Sequence, residues 1–432
     1  MKKNYKAILA AMTGNALEYY DVMLYGFFAT TLAPLFFPSD NQAVSYISSL
    51  GTFAAGFVMR PVGGLVFGHL GDKFGRRFAL VLSIFLVTLP TLTIGLLPTY
   101  AEIGIAAPVI LVTCRLLQGL CVGGEYSGAS IFVIEYSKKG KECFAGSILT
   151  ASGSFGGVIG TFCGFICTLA FMPTWGWRIP FIIGAFMGLM GYYIRAKVNE
   201  SPEFEKAKDE RIEKVPLWGV LVKRKKNLLC TVAIGASSLV PLYLATVYMG
   251  FLMSSKLHLT ISEIMLTNVA LTSFNVCLFP FFGRLADKIG KENQMKKAAI
   301  FMVLLAYPLF FFLENNFSLL NIIIVQFAIL GLNIAFVAPS MALLTTYFPV
   351  HERYSGIGFG YALGGALLGG TTPLIITSLS SWHESPYIPA YYLMFSAILG
   401  ILGVTLGKKQ KADEIRLQPR SNMNRLRYAK AS

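Results

Sequence analysis

The chain carries few charged residues for its length. Only 14% of its 432 residues are charged and 55% are hydrophobic, whereas soluble proteins carry about 25% charged residues. Its seven cysteines form no CxxC pair and its four histidines are scattered, so no zinc spacing or disulfide framework is visible. The sequence also lacks a paired nucleophile and base, a metal-ligand set and a phosphate-binding loop. These absences argue against an enzyme, and we expect neither a metal nor another cofactor.

Long apolar runs fill most of the chain instead. A helix needs about 20 mostly apolar residues to cross a bilayer. Twelve segments qualify, at roughly 7–35, 44–70, 77–98, 106–136, 143–171, 177–197, 227–254, 261–284, 297–314, 319–347, 354–380 and 387–407. The short basic N-terminus leads into the first run without a small-residue cleavage site, which indicates a retained span. The sequence therefore predicts an all-α integral membrane protein with twelve transmembrane helices.

The remaining charged residues divide the chain. Residues 198–226 are rich in Glu, Lys and Arg, and they are predicted to form a cytoplasmic linker. This linker separates an N-terminal six-helix bundle, residues 1–197, from a C-terminal six-helix bundle, residues 227–407. Residues 408–432 form a basic cytoplasmic tail without a heptad pattern, and we expect it to be largely disordered.

The formal charge of +15 also has a definite distribution. With the N-terminus in the cytoplasm, 33 of the 37 Lys and Arg residues fall in segments on the cytoplasmic side. This pattern follows the positive-inside rule and places both termini in the cytoplasm. A nucleic-acid-binding protein would gather its basic residues on one face, so we expect no nucleic-acid partner.

Two loops carry the same short motif. GHLGDKFGRR follows the second run at 68–77, and GRLADKIGK follows the eighth run at 283–291. The two copies lie half a chain apart, which predicts two pseudo-symmetric halves. Parallel six-helix repeats with a site between them near the membrane midplane are a known plan of secondary transporters.

These loops resemble the signature loop of the major facilitator superfamily. In that family the loop is a cytoplasmic gate between conformations, so the resemblance implies that Asp72, Arg76 and Arg77 form the stronger gate. Asp287 belongs to the second copy, which is degraded because Lys291-Glu292 replaces the two basic residues.

Further segments are similar to one branch of that family, the metabolite:proton symporters typified by bacterial proline/betaine and α-ketoglutarate permeases. They are GNALEYYDVMLYG at 14–26, RPVGG at 60–64, RLLQG at 115–119, GGEY at 123–126, WGWRIPF at 175–181 and ESPEF at 200–204. The resemblance covers most of the N-terminal half and leaves the substrate open.

All ionisable residues near the centres of the predicted spans lie in the first bundle. They are Glu18, Asp21, Arg60, Arg115 and Glu125. Buried charges in a membrane are costly and by default suggest function, although structural ion pairs between helices are the alternative. Fully ionised, the set carries three negative and two positive charges, so one proton would neutralise it. We therefore predict that Glu18, Asp21 and Glu125 couple transport to protons.

The predicted substrate-binding residues are Tyr19, Tyr25, Arg60, Arg115, Gln118, Tyr243 and Tyr361. A cage of Tyr19, Tyr20, Tyr25 and Tyr243 would suit a quaternary ammonium group. Arg60 or Arg115 would instead suit an anion. A zwitterionic osmolyte and a di- or tricarboxylate both stay open as substrates.

Together these features predict a proton-coupled importer of a small organic solute. It would act as a monomer in a bacterial inner membrane, by alternating access, with the solute, protons and the lipid bilayer as its partners. A uniporter or efflux antiporter on the same fold is one alternative. A membrane sensor that transports nothing is another, from a different functional class.

Overall fold

The computed structural model describes residues 2–167, 172–207, 216–383 and 385–417, and all regular structure in these ranges is helical. The long helices of the first half are α1 (Lys2–Phe36), α2 (Gln42–Lys73), α3 (Arg76–Leu96), α4 (Ala106–Tyr136), α5 (Glu142–Cys167) and α6 (Arg178–Ala196). Short helices at Tyr100–Ile103, Pro202–Ala207 and Pro216–Lys223 lie between them or in the linker.

The second half repeats this order with more interruptions. Its helices are α7 (Lys225–Tyr243, Leu244–Tyr248 and Met249–Leu257), α8 (Ile261–Val276 and Leu278–Ile289), α9 (Lys291–Asn315), α10 (Leu319–Val337 and Ser340–Leu344), α11 (Arg353–Gly364, Gly365–Gly369 and Thr372–His383) and α12 (Ile388–Leu417). The middle segments of α7 and α11 are π-helical. A π segment widens a helix by one residue and is frequent at functional sites.

Ten helices of the described ranges, α3 to α12, are long and apolar enough to cross a membrane. The helices α1 and α2, with 35 and 32 residues, occupy the other two predicted spans. The last helix continues past the predicted boundary at 407 to Leu417, so the beginning of the tail is helical rather than disordered. Residues 208–215 of the predicted linker and 418–432 of the tail lie outside the described ranges.

The internal repeat is visible in the backbone. Gly75 precedes α3 with φ +107°, and Gly290 precedes α9 with φ +92°. Residues other than glycine rarely adopt positive φ angles, so both loop copies need glycine for the same turn. A Cβ at Gly75 would also lie 2.1 Å from the carboxylate of Glu200. The two loops thus share geometry as well as sequence.

The two halves pack against each other through α2 with α11 and α5 with α8. Small residues allow this close approach. A Cβ at Gly64 would lie 2.6 Å from the carbonyl oxygen of Gly358, and one at Gly283 would lie 2.1 Å from the hydroxyl of Ser147. We call the end of the bundle that holds the two repeated loops the loop end. The basic residues assign this end to the cytoplasm.

Candidate functional site

Asp21 of α1 belongs to a buried polar network with α3 and α4. The hydroxyl of Thr91 donates to Asp21 Oδ1 over 2.9 Å, and the Arg115 guanidinium lies 3.5 Å from Asp21 Oδ2. Arg115 donates to Gln118 over 2.8 Å, and Gln118 donates to Thr91 over 2.9 Å. The guanidinium also lies over the ring of Tyr25, 4.3 Å from its centre. Asp21 and Arg115 therefore form a buried pair, and the neutral side chains of Thr91 and Gln118 bond to it.

Glu125 of α4 has a different partner, which the sequence analysis missed. Arg195, near the end of α6, forms a salt bridge with Glu125 Oε1, and Ser83 donates its hydroxyl to Oε2. Arg195 also donates to the carbonyl oxygens of Ala10, Ala11 and Leu80, at 3.0, 3.2 and 2.8 Å. The pair thus ties four helices of the first half together.

This pair corrects the predicted charge count. Arg195 lies at the end of the predicted sixth span and is not in the predicted set of buried charges, but its side chain is only 3% exposed and turns into the bundle. The space for it comes from Gly14 of α1, where a Cβ would lie 2.0 Å from the guanidinium. With Arg195 included, the buried set has three carboxylates and three guanidinium groups, so it needs no proton to be neutral.

Glu18 differs from the other two carboxylates. It is buried, and its Oε2 atom has no hydrogen-bond partner in the part of the chain that the structure describes. The charged groups that face it are Glu125, Arg60 and Arg195. Burying a carboxylate oxygen without a donor is unfavourable, so this position is suited to a ligand that supplies one.

Aromatic residues from both halves gather beside Glu18. Tyr19 lies close to Glu18, Arg60, Tyr126 and Tyr243, and the rings of Tyr126 and Tyr361 are 5.7 Å apart. We call this group the central site; its residues are Glu18, Tyr19, Arg60, Tyr126, Tyr243 and Tyr361. Tyr126 was not predicted as a site residue, although it directly follows Glu125 in the GGEY motif.

Arg60 of α2 lies where the two halves meet. Its guanidinium is 3.9 Å from the centre of the Phe57 ring, and the Phe57 ring packs edge-on against Tyr243 of α7 at 6.1 Å. Its Nε atom is buried without a hydrogen-bond partner among the described residues. The central site thus contains one carboxylate oxygen and one guanidinium nitrogen that no group in the described ranges satisfies.

The predicted cage of four tyrosines is not assembled. Tyr20 points into the first half and donates to the carbonyl oxygen of Pro180 over 2.8 Å. Tyr25 is buried under Arg115. Tyr19 and Tyr243 remain beside Arg60. Tyr20 follows Tyr19 directly in α1, and consecutive residues of a helix face different neighbours, so the two rings separate.

At the loop end, Asp72 joins the two halves. Its carboxylate accepts from the backbone N–H groups of Tyr354 and Ser355 at the start of α11, over 3.0 and 2.8 Å. It also accepts from Arg76 over 3.0 Å. Arg76 donates in addition to the carbonyl oxygen of Val350 in the other half. The carboxylate thus caps a helix N-terminus, where the dipole favours a negative charge.

Further ion pairs strengthen this contact. Glu135 lies 2.7 Å from Arg353 of the second half and 3.6 Å from Arg76. Glu203, just after α6, also pairs with Arg353, at 2.6 Å. The first gate therefore extends well beyond the predicted Asp72, Arg76 and Arg77.

Glu200, in the ESPEF segment, caps α3. Its carboxylate accepts from the backbone N–H groups of Arg76 and Arg77 over 3.1 Å each, and from Ser201 over 2.7 Å. Burial raises the pKa of Glu200, and the N–H groups of Ser201 and Arg77 offset part of that effect. The side chain of Arg77 donates to the carbonyl oxygen of Ala196 within the same half.

The second gate is simpler. Asp287 accepts from the backbone N–H groups of Cys143 and Phe144 at the start of α5, over 2.9 and 3.0 Å. This mirrors the cap that Asp72 forms on α11. Lys291, in the position of Arg76, donates to the carbonyl oxygen of Ala342 over 2.9 Å within its own half.

Comparison with known proteins agrees with this architecture. The sequence profile of the Major Facilitator Superfamily matches residues 12–358 and 243–427. The proline/betaine transporter of Salmonella typhimurium is 34% identical over 414 aligned residues, covering 92% of this chain and 82% of the relative. The glycine betaine/proline/ectoine/pipecolic acid transporter of Dickeya dadantii is 35% identical over 423 aligned residues, with 92% and 82% covered.

Solved structures show the same fold. A proton:xylose symporter bound to 6-bromo-6-deoxy-D-glucose superposes with a TM-score of 0.79 at 14% identity, covering 94% of this chain and 96% of that chain. An inward-open conformation of the xylose transporter from E. coli gives a TM-score of 0.64 at 15% identity, with 91% and 95% covered. The chain belongs to the Major Facilitator Superfamily, and it is a multi-pass membrane transporter with twelve helices in two six-helix halves.

Proposed function

We propose that this chain is a proton-coupled symporter that imports a small zwitterionic solute across a bacterial inner membrane. It works as a monomer in the lipid bilayer, by alternating access of the central site between the two halves. Its relatives in Salmonella typhimurium and Dickeya dadantii are named as transporters of proline and glycine betaine. Both of those solutes carry one positive and one negative charge at neutral pH.

The observation that carries the proposal is the unsatisfied pair of groups in the central site. Glu18 Oε2 and Arg60 Nε are both buried without a hydrogen-bond partner among the described residues. A zwitterion would place its ammonium group against Glu18 and its carboxylate against Arg60, so that both charges are compensated on binding. The tyrosine rings would supply faces for a methylated ammonium group.

The proton is assigned to Asp21. Its ion pair with Arg115 is 3.5 Å long, so protonation of the carboxyl would release Arg115 without breaking a close bond. Such a change would alter the contact between α1 and α4 next to the central site. Glu125 is bonded to Arg195 and Ser83, so in this proposal it stays ionised and stabilises the packing of the helices. Tyr25 and Gln118 then support Arg115 rather than contact the solute.

Uptake by the purified protein in proteoliposomes tests the proposal. Radiolabelled glycine betaine and proline are offered with and without an acidic exterior, and α-ketoglutarate and citrate are tested as competitors. We expect accumulation only with the pH gradient, and no competition by the carboxylates. Glu18→Gln should abolish uptake, whereas Glu314→Gln, at an exposed acid remote from the central site, should leave it unchanged.

The same assay separates the alternatives. Uptake that equilibrates without dependence on the gradient would indicate a uniporter. Movement of solute against an entering proton would indicate an efflux antiporter. No movement of zwitterions or carboxylates in either direction would favour a membrane sensor and contradict the proposal.

A further inference from the structure

Tyr354, at the start of α11, extends from the second half into the first. Its side chain is fully buried. Its backbone N–H donates to Asp72 Oδ1 over 3.0 Å, and its hydroxyl donates to the carbonyl oxygen of Gly124 on α4 over 2.9 Å. One residue is therefore bonded at both ends to the opposite half of the molecule.

Two glycines form the slot that holds the Tyr354 ring. A Cβ at Gly71 of α2 would lie 2.0 Å from the ring, and a Cβ at Gly128 of α4 would lie 1.9 Å from the hydroxyl oxygen. Contacts this short cannot exist, so an alanine at either position excludes the ring in its present place. The slot between α2 and α4 is thus shaped for an aromatic residue of the other half.

The slot lies between the first gate and the buried ion pair of Glu125. Gly124, which accepts the hydroxyl, directly precedes Glu125 in α4. The charged groups that face Tyr354 are Glu125, Arg195, Arg76 and Asp72. Withdrawal of the ring would therefore change the surroundings of the gate and of the ion pair together.

The second gate has a different residue at the equivalent position. Cys143 occupies the position equivalent to Tyr354, since each donates its backbone N–H to Oδ1 of a gate aspartate. A cysteine side chain is far shorter than a tyrosine ring, so it cannot reach the interior of the opposite half. The two gates thus differ at Tyr354 and Cys143 as well as at the basic residues Arg76 and Lys291.

We propose that Tyr354 is the bolt of the loop end, a positioning residue that holds the two halves together while its ring occupies the slot. The ring leaves the slot when the loop end opens, and the Tyr354 hydroxyl then donates to water instead of the Gly124 carbonyl oxygen. The bolt rests on the alternating-access transport proposed above, because only a protein that opens at this end needs to release it.

Thiol labelling in inside-out membrane vesicles tests the bolt. Cys143 is buried in the contact between the halves, whereas Cys114 is buried within the first half and serves as an internal reference. The vesicles are treated with N-ethylmaleimide, and mass spectrometry follows the modification of each cysteine over time. The variants are Tyr354→Ala, Tyr354→Phe and Gly128→Ala, with Gly331→Ala as control because a Cβ there meets nothing within 4 Å.

We expect Tyr354→Ala and Gly128→Ala to speed the labelling of Cys143 by on the order of tenfold or more, because each favours the open state. Tyr354→Phe should give a smaller rise, since only the hydroxyl is lost, and Gly331→Ala should give none. An unchanged labelling rate of Cys143, or an equal rise in the labelling rate of Cys114, would overturn the proposal. Labelling needs no solute, so absence of uptake by the unaltered protein would refute the proposed function without deciding this test.

Discussion

The two halves of the molecule share a fold but place their polar groups differently. In the first half, buried carboxylates and guanidinium groups link α1, α3, α4 and α6. The spans of the second half hold no ionisable residue near their centres, and amides take that role. Gln326 donates to the carbonyl oxygen of Ala245 over 2.6 Å, and Asn268 donates to that of Thr246 over 3.2 Å.

Those two carbonyl groups lie in the π segment of α7. The π segment of α11 has a similar neighbour, because the hydroxyl of Tyr392 donates to the carbonyl oxygen of Leu368 over 2.9 Å. Neutral side chains thus stabilise two interrupted helices, and they can exchange partners at small cost. The comparison shows that the buried ion pairs lie in the first half, whereas the π segments of α7 and α11, to which we assign the bending during transport, lie in the second.

The largest effect should come from a charge in the first half. Asp21→Asn removes the proposed proton site but keeps an acceptor for Thr91, so we expect pH-gradient-driven accumulation to be lost. Asn268→Ala in the second half should slow uptake while accumulation still follows the gradient. Both variants are measured in proteoliposomes with labelled glycine betaine. The assignment of proton coupling to the first half would be contradicted if Asn268→Ala abolished gradient-driven accumulation, or if the Asp21→Asn variant accumulated solute normally.

The next effect concerns stability. Arg195→Met leaves Glu125 buried without its partner, which costs about 3–5 kcal/mol when one member of a buried pair is removed. The double variant Glu125→Leu with Arg195→Met removes both charges and should recover much of that loss. Thermal unfolding of the purified variants in detergent measures both. Equal stability of the single and double variants would show that the pair is not coupled.

Much of this architecture follows from local sequence patterns. Apolar runs predict the spans because the bilayer imposes their length. The loop motif predicts the gates because a left-handed glycine, Gly75 or Gly290, and an aspartate are needed in the same short turn. These features depend on neighbours in sequence, so a single chain is enough to find them.

The contacts that the site residues make with distant parts of the chain could not be predicted in this way. Arg195 joins Glu125 across 70 positions, and Tyr354 joins Gly124 across 230. Such contacts depend on how helices rotate and cross, which periodicity does not determine. The one local signal was Gly14, whose missing side chain makes room for Arg195. A glycine has many possible causes, so this signal does not identify its partner.

A smaller effect should separate the two gates. Asp72→Asn weakens the bond to the buried Arg76, and we expect a loss of about 1.5–3 kcal/mol, as for a hydrogen bond to a charged group. Asp287→Asn should cost less, about 0.5–1.5 kcal/mol, because it loses one of the two bonds from backbone N–H groups but no bond to an arginine. Thermal unfolding of the two variants side by side gives the difference. A loss at Asp287 as large as that at Asp72 would contradict the asymmetry of the gates.

The smallest effect should come from the amides of the second half. Gln326→Leu removes the donor to Ala245 and the 3.3 Å bond to Asn268, and hydrogen bonds between membrane helices contribute only about 0.6 kcal/mol on average. We therefore expect a stability loss of about 0.5–1 kcal/mol, measured by thermal unfolding against Gln294→Leu. Gln294 donates to Phe282 and Ala335, outside both π segments, and serves as the matched control.

The informative readout for Gln326→Leu is the uptake rate rather than stability. If the π segment of α7 bends during transport, loss of its side-chain partner changes the rate, whereas Gln294→Leu lowers stability by a similar amount and leaves the rate unchanged. Equal rates in the two variants would mean that the amides of the second half only fasten helices together. The halves would then differ in charge alone, and the bending role assigned to the second half would be wrong.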